Sequence, residues 1–214
     1  MSGCCDPSGY DELFDPKEAG RNLKVYDKKG LNRMAARTVD YLKSRGVEGH
    51  RILEVGGGIG AVQVELLKAG AASAVNVELS DGYRETAAEL LRRHGLEGRV
   101  EERIGDFTEV AAELEADDVI MNRVICCYPD MDRLLTAGLS ASRRFLVAVF
   151  PRDRWMARIF VAVGNAYQRV KGVDFRAYIH SPEAIRDTAQ RAGFRVAFAD
   201  RDLVWHGVVF ERTG

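Results

Sequence analysis

A glycine-rich turn between a strand and a helix constrains the fold of this chain more than any other feature. Residues 51–60 read RILEVGGGIG, so an apolar strand runs into Gly56, Gly57, Gly58 and Gly60, and a periodic helix over 61–69 follows at once. Glycine permits the positive φ angles and the close backbone approach that such a turn needs. The helix start presents free N–H groups to a ligand. We therefore expect these four glycines to bind a small molecule with an adenosine end.

Length and composition predict one globular domain with no bulk attraction to a charged partner. The chain has 214 residues, of which 46% are hydrophobic and 29% charged, and its formal net charge is −1. That balance does not favour nucleic acid. No apolar run reaches the roughly 18 residues that indicate a transmembrane segment, and the N-terminus lacks the regions of a signal peptide. We expect a cytoplasmic protein that binds no nucleic acid.

Strands and helices alternate along most of the chain, which predicts a parallel α/β sheet with helices on both faces. A helix over residues 31–45 precedes the first strand, and Gly46 ends it. The last two strands are expected to form an antiparallel pair. The predicted strands are 51–55, 73–79, 100–104, 118–125, 144–150, 196–199 and 203–210.

Two segments stand apart from this alternation. Residues 1–20 are polar and are expected to form a flexible N-terminal arm on a single domain of residues 21–214. Residues 151–180 are a lid-like insertion that contains an apolar helical stripe flanked by basic residues. The stripe consists of Trp155, Ile159, Phe160 and Val163. Three interpretations stay open: packing against the core, a lid over a large apolar substrate, or a peripheral membrane contact.

Three acidic residues help to distinguish the ligands that bind at such a turn. Glu54 precedes the glycines, where a carboxylate repels a pyrophosphate but suits the ammonium and sulfonium groups of S-adenosylmethionine. Glu78, next to Leu79, ends the second strand, where it can accept both ribose hydroxyls. Asp106 and Phe107 follow the third strand and suit the adenine amino group and ring. The expected cofactor is S-adenosylmethionine, with S-adenosylhomocysteine as its product.

Two of these acids also have a purely structural interpretation. Glu54 could cap the turn that follows it, and Asp106 could cap the short helix expected near residues 108–115. The glycine pattern by itself fits an NAD-dependent oxidoreductase equally well. Asn122, at the end of the fourth strand, is expected to face the reacting methyl group.

The ordered motifs resemble those of class I S-adenosylmethionine-dependent methyltransferases. The resemblance rests on residues 54–60, Glu78, residues 105–107 and residues 118–130, and it extends over residues 25–210. It implies a Rossmann-like, seven-stranded, mostly parallel sheet with an antiparallel last strand. It also implies that the chain transfers a methyl group to a small-molecule acceptor.

A narrower resemblance, to magnesium-protoporphyrin O-methyltransferases, rests on VICCYPD at 124–130 and FRAYIH at 175–180. It implies an active-site tyrosine in the arm, which Tyr26 matches, and a histidine before the Tyr-Pro pair. This chain departs from that pattern with Cys127, whose thiol suits a soft acceptor. The predicted acceptor-side residues are Tyr26, Cys127, Tyr178 and His180, although packing explains the last two as well. Arg123 and Arg176 are candidates to pair with an acidic substrate.

The leading prediction is methyl transfer to a carboxylate or hydroxyl of a large apolar or porphyrin-like molecule. A thiol or metalloid acceptor, an NAD-dependent oxidoreductase and a catalytically silent cofactor-binding subunit are the alternatives. The adjacent pairs Cys4-Cys5 and Cys126-Cys127 lack the spacing of a zinc site. We therefore predict no metal, and a soft-metal site that joins the two pairs stays an alternative.

Overall fold

Seven strands form one sheet, in the order β3-β2-β1-β4-β5-β7-β6, in the computed structural model, which describes residues 10–214. Strands β1 to β5 pair in parallel, whereas β7 is antiparallel to both of its neighbours. The predicted sheet, with its antiparallel last strand, is confirmed. The strands are β1 (Arg51–Val55), β2 (Ser73–Glu78), β3 (Val100–Ile104), β4 (Ala116–Asn122), β5 (Ser142–Pro151), β6 (Phe194–Arg201) and β7 (Trp205–Arg212).

Helices cover both faces of the sheet, because successive side chains of a buried parallel strand point to opposite faces and both faces are apolar. Ile52 and Ile120 belong to one buried cluster, with residues of the first four helices, while Leu53 and Met121 belong to the other. The helices are α1 (Pro16–Lys29), α2 (Arg33–Ser44), α3 (Ala61–Lys68), α4 (Arg84–His94), α5 (Phe107–Val110), α6 (Met131–Ala141), α7 (Trp155–Lys171) and α8 (Pro182–Arg191).

A helix begins inside the segment 1–20 that the sequence predicts to be a flexible arm. Pro16 begins helix α1, and Asp15 caps it by accepting a hydrogen bond from the backbone N–H of Glu18 at 2.7 Å. An aspartate followed three residues later by a glutamate is a helix-start signal that the sequence already carried. Residues 1–9, with the Cys4-Cys5 pair, lie outside the described residues, and the division into arm and domain stays a prediction.

The fourth strand ends at Asn122 instead of Ile125. Arg123 has φ 64°, in the left-handed region that a residue with a Cβ rarely adopts. This turn directs the next residues across the carboxyl end of the sheet. The backbone N–H of Arg123 donates a hydrogen bond to the Val149 carbonyl oxygen of β5 at 2.9 Å, which holds the start of the turn against the sheet.

The insertion after β5 contains helix α7, none of whose residues is buried. Packing of its apolar stripe against the core, one of the three interpretations, is therefore wrong. Within residues 10–214, no helix combines the length and the hydropathy needed to cross a bilayer.

Candidate active site

The glycine turn lies at the carboxyl end of β1 and is packed tightly on both sides. Gly56, Gly57 and Gly58 line a cavity there, as predicted for the cofactor site. Gly56 has φ 65°, and a Cβ there would come within 2.8 Å of the Val124 side chain. A Cβ on Gly57 would come within 2.6 Å of the Asn76 side-chain oxygen, which also accepts a hydrogen bond from the Gly57 N–H at 3.2 Å. Side chains larger than hydrogen cannot enter at either position without displacing a neighbour.

Gly60, the last glycine of the turn, does not line the cavity, unlike the three glycines before it. It caps the start of α3 with φ 72°, and a Cβ there would collide with the side-chain amide of Gln63. Its backbone N–H donates to the Gly57 carbonyl oxygen at 3.0 Å, and its own carbonyl oxygen accepts from the Val64 N–H at 3.0 Å. Both backbone groups are thus used within the protein. Gly60 therefore serves the left-handed bend into the helix, and its contact with the cofactor stays a prediction.

Glu54 does not face the cavity as predicted. Its side chain is buried, and its carboxylate accepts a hydrogen bond at 3.1 Å from the backbone N–H of Gln63, in the first turn of α3. Burial raises the pKa of Glu54 to about 8. Glu54 therefore caps helix α3, as one of the two interpretations predicted. Its carboxyl group lies behind the glycine turn, so it does not support the prediction that this acid attracts the sulfonium of a cofactor.

Glu78 lies on the cavity wall at the end of β2. Its carboxylate accepts a short hydrogen bond from the backbone N–H of Gly58, which ties the end of β2 to the glycine turn. Burial raises the pKa of Glu78 to about 7. Leu79 follows on the same wall. A carboxylate beside the N–H groups of a glycine turn is well placed to accept the two hydroxyls of a ribose.

Asp106 and Phe107 line the next part of the wall, beyond β3. One oxygen of Asp106 accepts from the backbone N–H of Thr108 at 2.8 Å, and so caps α5. The other oxygen accepts from the Tyr128 hydroxyl at 2.8 Å. Asp106 thus caps a helix, as the structural interpretation predicted, and it also lines the cavity, as the adenine-binding interpretation requires. The ring of Phe107 beside it is buried.

Asn122 and Arg123 bring polar groups to the centre of the same edge. Asn122 lines the cavity, and its buried Oδ1 atom has no hydrogen-bond partner among residues 10–214. Buried polar atoms are nearly always paired, so this atom is a candidate for a ligand contact. Arg123 also lines the cavity, and its guanidinium lies over the Trp205 ring, 4.3 Å from the ring centroid.

The N-terminal segment forms a roof over the cavity. Tyr10 and Phe14 pack edge-on against Phe175 of the insertion, at 5.4 and 5.8 Å between ring centroids. Phe14 also contacts Tyr83 at 6.2 Å. The sequence treated residues 10–15 as part of an arm, although their two aromatic residues, four positions apart, were a signal that this segment packs against something.

Tyr26 lines the cavity from α1, as expected of an acceptor-side residue. Its hydroxyl donates to Glu65 at 2.8 Å. Burial and this carboxylate raise the pKa of Tyr26 far above its usual range. The phenol therefore stays neutral and cannot act as a base at physiological pH.

Cys127 lies on the cavity wall, and its sulfur is 3.9 Å from that of the buried Cys126. Contact with Cys126 and burial raise the pKa of the Cys127 thiol well above its usual value. Tyr10 of the roof donates a hydrogen bond to the Cys127 carbonyl oxygen. In residues 10–214 no three potential metal ligands come together, so the pair has no third side-chain ligand there.

Tyr178 and His180 do not line the cavity, unlike the other two predicted acceptor-side residues. The His180 ring donates to the Tyr128 carbonyl oxygen at 3.0 Å, and the Tyr178 backbone N–H donates to the Cys126 carbonyl oxygen at 2.7 Å. Burial lowers the pKa of His180 and keeps its ring neutral. These contacts fasten the end of the insertion to the loop after β4.

The cavity has a volume of about 740 Å³ and runs from the glycine turn to the aromatic roof. Small-molecule sites typically occupy about 300–1,000 Å³. Several lining side chains were not among the predicted site residues. Some of them, such as Phe14 and Gln168, come from segments distant in the chain from the motifs. The set is Leu13, Phe14, Asn22, Tyr83, Val124, Tyr128, Leu134, Gln168 and Phe175.

Residues 53–138 match a family model described as a methyltransferase domain. No curated protein sequence matches the chain. The family match favours a methyltransferase over the NAD-dependent oxidoreductase that the glycine pattern alone left open.

Solved structures of methyltransferases share the fold. Magnesium protoporphyrin IX methyltransferase from Synechocystis PCC 6803, with bound SAH, superposes with TM-score 0.74 at 18% identity, covering 97% of this chain and 100% of that one. An O-methyltransferase family protein from Burkholderia thailandensis has TM-score 0.67 at 16% identity, covering 94% and 64%. A putative sarcosine dimethylglycine methyltransferase from Galdieria sulphuraria has TM-score 0.66 at 14% identity, covering 92% and 98%.

At these identities the likeness is one of fold, and it agrees with the family match. The predicted resemblance is confirmed: residues 53–138 match a methyltransferase domain, and the chain has the fold of class I S-adenosylmethionine-dependent methyltransferases.

Proposed function

We propose that this methyltransferase binds S-adenosylmethionine along the carboxyl ends of β1, β2 and β4 and methylates a carboxylate of an apolar small molecule. The cofactor half of the proposal is supported by the wall from the glycine turn through Glu78 to Asp106 and Phe107. Glu78 would hold the ribose and Phe107 would contact the adenine. Glu54 contributes indirectly, by capping α3 behind the turn.

The acceptor half of the proposal rests on the opposite end of the cavity. The roof rings of Tyr10, Phe14 and Phe175 and the side chain of Leu13 make this end apolar. Such walls bind an apolar or aromatic body and leave a few polar groups to orient it. Asn122 would face the methyl group from the centre of the sheet edge.

The guanidinium of Arg123 is the single observation that carries the choice of a carboxylate. Arg123 lines the cavity, and its guanidinium lies over the Trp205 ring. Asp202 lies near enough to act on this charge electrostatically, but no carboxylate of residues 10–214 comes within the 4.0 Å of an ion pair. An arginine keeps its charge even when partly buried and binds carboxylates through paired N–H groups. Its left-handed backbone, at φ 64°, is a strained conformation of the kind that accumulates at functional sites.

The reaction with a carboxylate needs no base from the protein. A carboxylate oxygen attacks the methyl carbon, the carbon–sulfur bond breaks, and its electron pair stays on sulfur to give S-adenosylhomocysteine and a methyl ester. This fits the acceptor-side residues, because Tyr26 and Cys127 both have raised pKa values and stay protonated. The chain would supply alignment and exclusion of water, which together can account for a large part of the barrier lowering.

The test is a methyl-transfer assay with labelled S-adenosylmethionine against matched sets of acceptors. Each set contains an apolar carboxylic acid and its amide, with phenols, thiols and carboxylate-bearing porphyrins tested in parallel. We expect incorporation only into carboxylates. Arg123→Gln should raise KM for the acid about 10- to 100-fold, as expected when a charged hydrogen bond of 1.5–3 kcal/mol is lost, and Arg123→Lys should lie between.

The matched control is Arg92→Gln, an exposed arginine on α4. Cofactor affinity should be the same in all three variants. Methylation of phenols but not acids, or an unchanged KM in Arg123→Gln, would contradict a carboxylate acceptor.

A second candidate is a soft acceptor, such as a thiol or a trivalent metalloid, and the Cys126–Cys127 pair favours it. The two sulfurs are 3.9 Å apart and Cys127 reaches the cavity. Arsenite and small thiols therefore belong in the same assay. Methylation of arsenite by the wild type that Cys127→Ser abolishes would select this candidate over the carboxylate.

A further inference from the structure

Helix α7 exposes a continuous apolar face. Phe160 is 81% exposed and Val170 is 85% exposed, which is unusual for large apolar side chains of a globular domain. The face follows the three- and four-residue spacing that places side chains along one side of a helix. Its members are Trp155, Met156, Ile159, Phe160, Val163, Tyr167 and Val170.

The opposite side of α7 is attached to the domain. The side-chain amide of Asn165 donates to the Ala177 carbonyl oxygen at 2.8 Å, and its Oδ1 accepts from the Ala177 N–H at 2.9 Å. Gln168 reaches the cavity wall from the same side. The orientation of the helix is therefore set by polar contacts, and the apolar face points away from the domain.

Basic residues flank the apolar face. Residues 152–171 contain five basic residues and one acidic residue, whereas the whole chain has a formal net charge of −1. The acidic residue, Asp153, precedes the helix and pairs with Arg158 at 2.6 Å. Helical spacing places Arg169 and Lys171 on either side of the apolar face, whereas Arg158 lies nearer to Asn165, and no acidic residue occurs within α7.

A second exposed apolar point lies beside the start of the helix. In the turn between β6 and β7, Leu203 is 81% exposed and Val204 is 56% exposed. The Val204 carbonyl oxygen accepts a hydrogen bond from the Arg152 N–H at 2.8 Å, which holds this turn next to the residues that lead into α7.

We propose that α7 lies in the interface of an anionic phospholipid bilayer, with its apolar face in the acyl region and its basic residues at the headgroups. Helices with an apolar face, aromatic residues and flanking Lys and Arg bind membranes in this way. The helix has 17 residues and is not long and apolar enough to cross a bilayer, so it would lie along the surface. A second copy of the chain is disfavoured as the occupant, because two such faces packed about a twofold axis would bring their basic borders together.

The test is flotation of the full chain with vesicles of phosphatidylcholine alone and of phosphatidylcholine with phosphatidylglycerol. We expect binding to the anionic vesicles and weak binding to the neutral ones. Phe160→Ser with Val163→Ser should weaken binding at least ~10-fold, given the transfer free energy of two large apolar side chains. Arg169→Gln with Lys171→Gln should weaken it ~5-fold per charge on anionic vesicles only.

The matched control carries Ile104→Ser and Val196→Ser, two exposed apolar residues on strands β3 and β6. It should bind vesicles as the wild type does. Thermal unfolding and S-adenosylhomocysteine binding, measured on each variant, show that the domain is intact and keep this proposal independent of the proposed acceptor. The proposal is overturned if the wild type does not float with anionic vesicles, or if the apolar variant floats equally well. Self-association that the same variant abolishes, without vesicle binding, would assign the face to a second copy.

Discussion

The backbone of Phe14, in the roof over the cavity, packs directly against Gly82. Gly82→Ala should therefore disturb the roof specifically. A Cβ at this position would lie 2.1 Å from the Phe14 carbonyl oxygen and 3.2 Å from the Asp15 Cα. Ordinary contacts begin at 3.4 Å, so the segment around Phe14 must move by about 1.3 Å. The atoms that the new Cβ would meet belong to the backbone, so a side-chain rotation cannot relieve the clash.

The cost follows from the contacts that such a shift breaks. Phe14 would lose ring contacts with Tyr83 and Phe175, each contributing about 0.5–1.5 kcal/mol. Its carbonyl oxygen would lose the hydrogen bond from the Ser80 hydroxyl at 3.3 Å, which contributes about 0.5–1.5 kcal/mol. The local loss is therefore about 1.5–4.5 kcal/mol, and it falls on the roof and not on the sheet.

Amide hydrogen exchange measures this loss directly. In Gly82→Ala we expect the amides of residues 10–29 to exchange at least ~10-fold faster, with the strand amides of β1 and β4 unchanged. Gly98→Ala is the matched control, because a Cβ there meets nothing within 4 Å. Equal protection of residues 10–29 in the two variants would refute the claim that Gly82 holds the roof in place.

Two further predictions concern buried polar groups. Burial raises the pKa of Glu54 to about 8. The folded state therefore keeps a proton that the unfolded state releases near pH 4.5. The free energy of unfolding should fall as the pH rises from 4.5 to 8, by at most about 1.4 kcal/mol per pH unit from this group. Glu54→Gln, which keeps an acceptor for the Gln63 N–H, should reduce that slope in thermal unfolding measured across this range, while Glu78, whose pKa is raised to about 7, keeps its own share. An unchanged slope would contradict the assigned burial of Glu54. His180→Ala removes the hydrogen bond to the Tyr128 carbonyl oxygen and should lower Tm by a few degrees, since about 1 kcal/mol is lost and each kcal/mol is worth about 2–4 °C at this size. Turnover by the folded variant should be retained, and a loss of kcat without a loss of Tm would restore His180 as a catalytic residue.

Local patterns were sufficient to predict the sheet. The strands at 51–55 and 100–104 begin and end where the sequence places them, and a glycine follows each of them at once, which is a local signal. The end of β4 was misplaced because its stop is Arg123, a residue type that seldom adopts a left-handed φ. Nothing in the identity of that residue distinguishes it from a continuing strand.

The site shows the same division between local and non-local information. Glu78 and Asn122 were predicted to face the ligand from their positions at strand ends, and both line the cavity. The role of Glu54 was misjudged because a strand-end carboxylate can point either to the ligand or into the following helix, and only three-dimensional packing separates the two. Phe14 and Phe175 were missed as lining residues because 161 positions separate them in sequence.

Gly60 illustrates a related ambiguity. A glycine in such a turn can serve a ligand or the bend of the backbone itself, and the sequence pattern is the same in both cases. Its left-handed φ of 72° and its place outside the cavity wall show that the bend is what requires it.

Helix α7 illustrates a limit of periodicity. A stripe at helical spacing indicates that one face is apolar, but the spacing carries no information about what covers that face. In the structure no residue of α7 is buried, so the apolar stripe does not pack against the core and lies on the surface.

Isothermal titration of S-adenosylhomocysteine into the wild type, Glu78→Ala and Glu85→Ala tests the central claim most directly, since Glu78 lines the cavity and Glu85 is exposed on α4. We expect the wild type and Glu85→Ala to bind equally, and Glu78→Ala to bind at least ~10-fold more weakly, because two hydrogen bonds from ribose hydroxyls to a carboxylate are lost. NAD should produce no binding heat. Equal affinity of Glu78→Ala and the wild type for S-adenosylhomocysteine, or tight binding of NAD, would contradict the account.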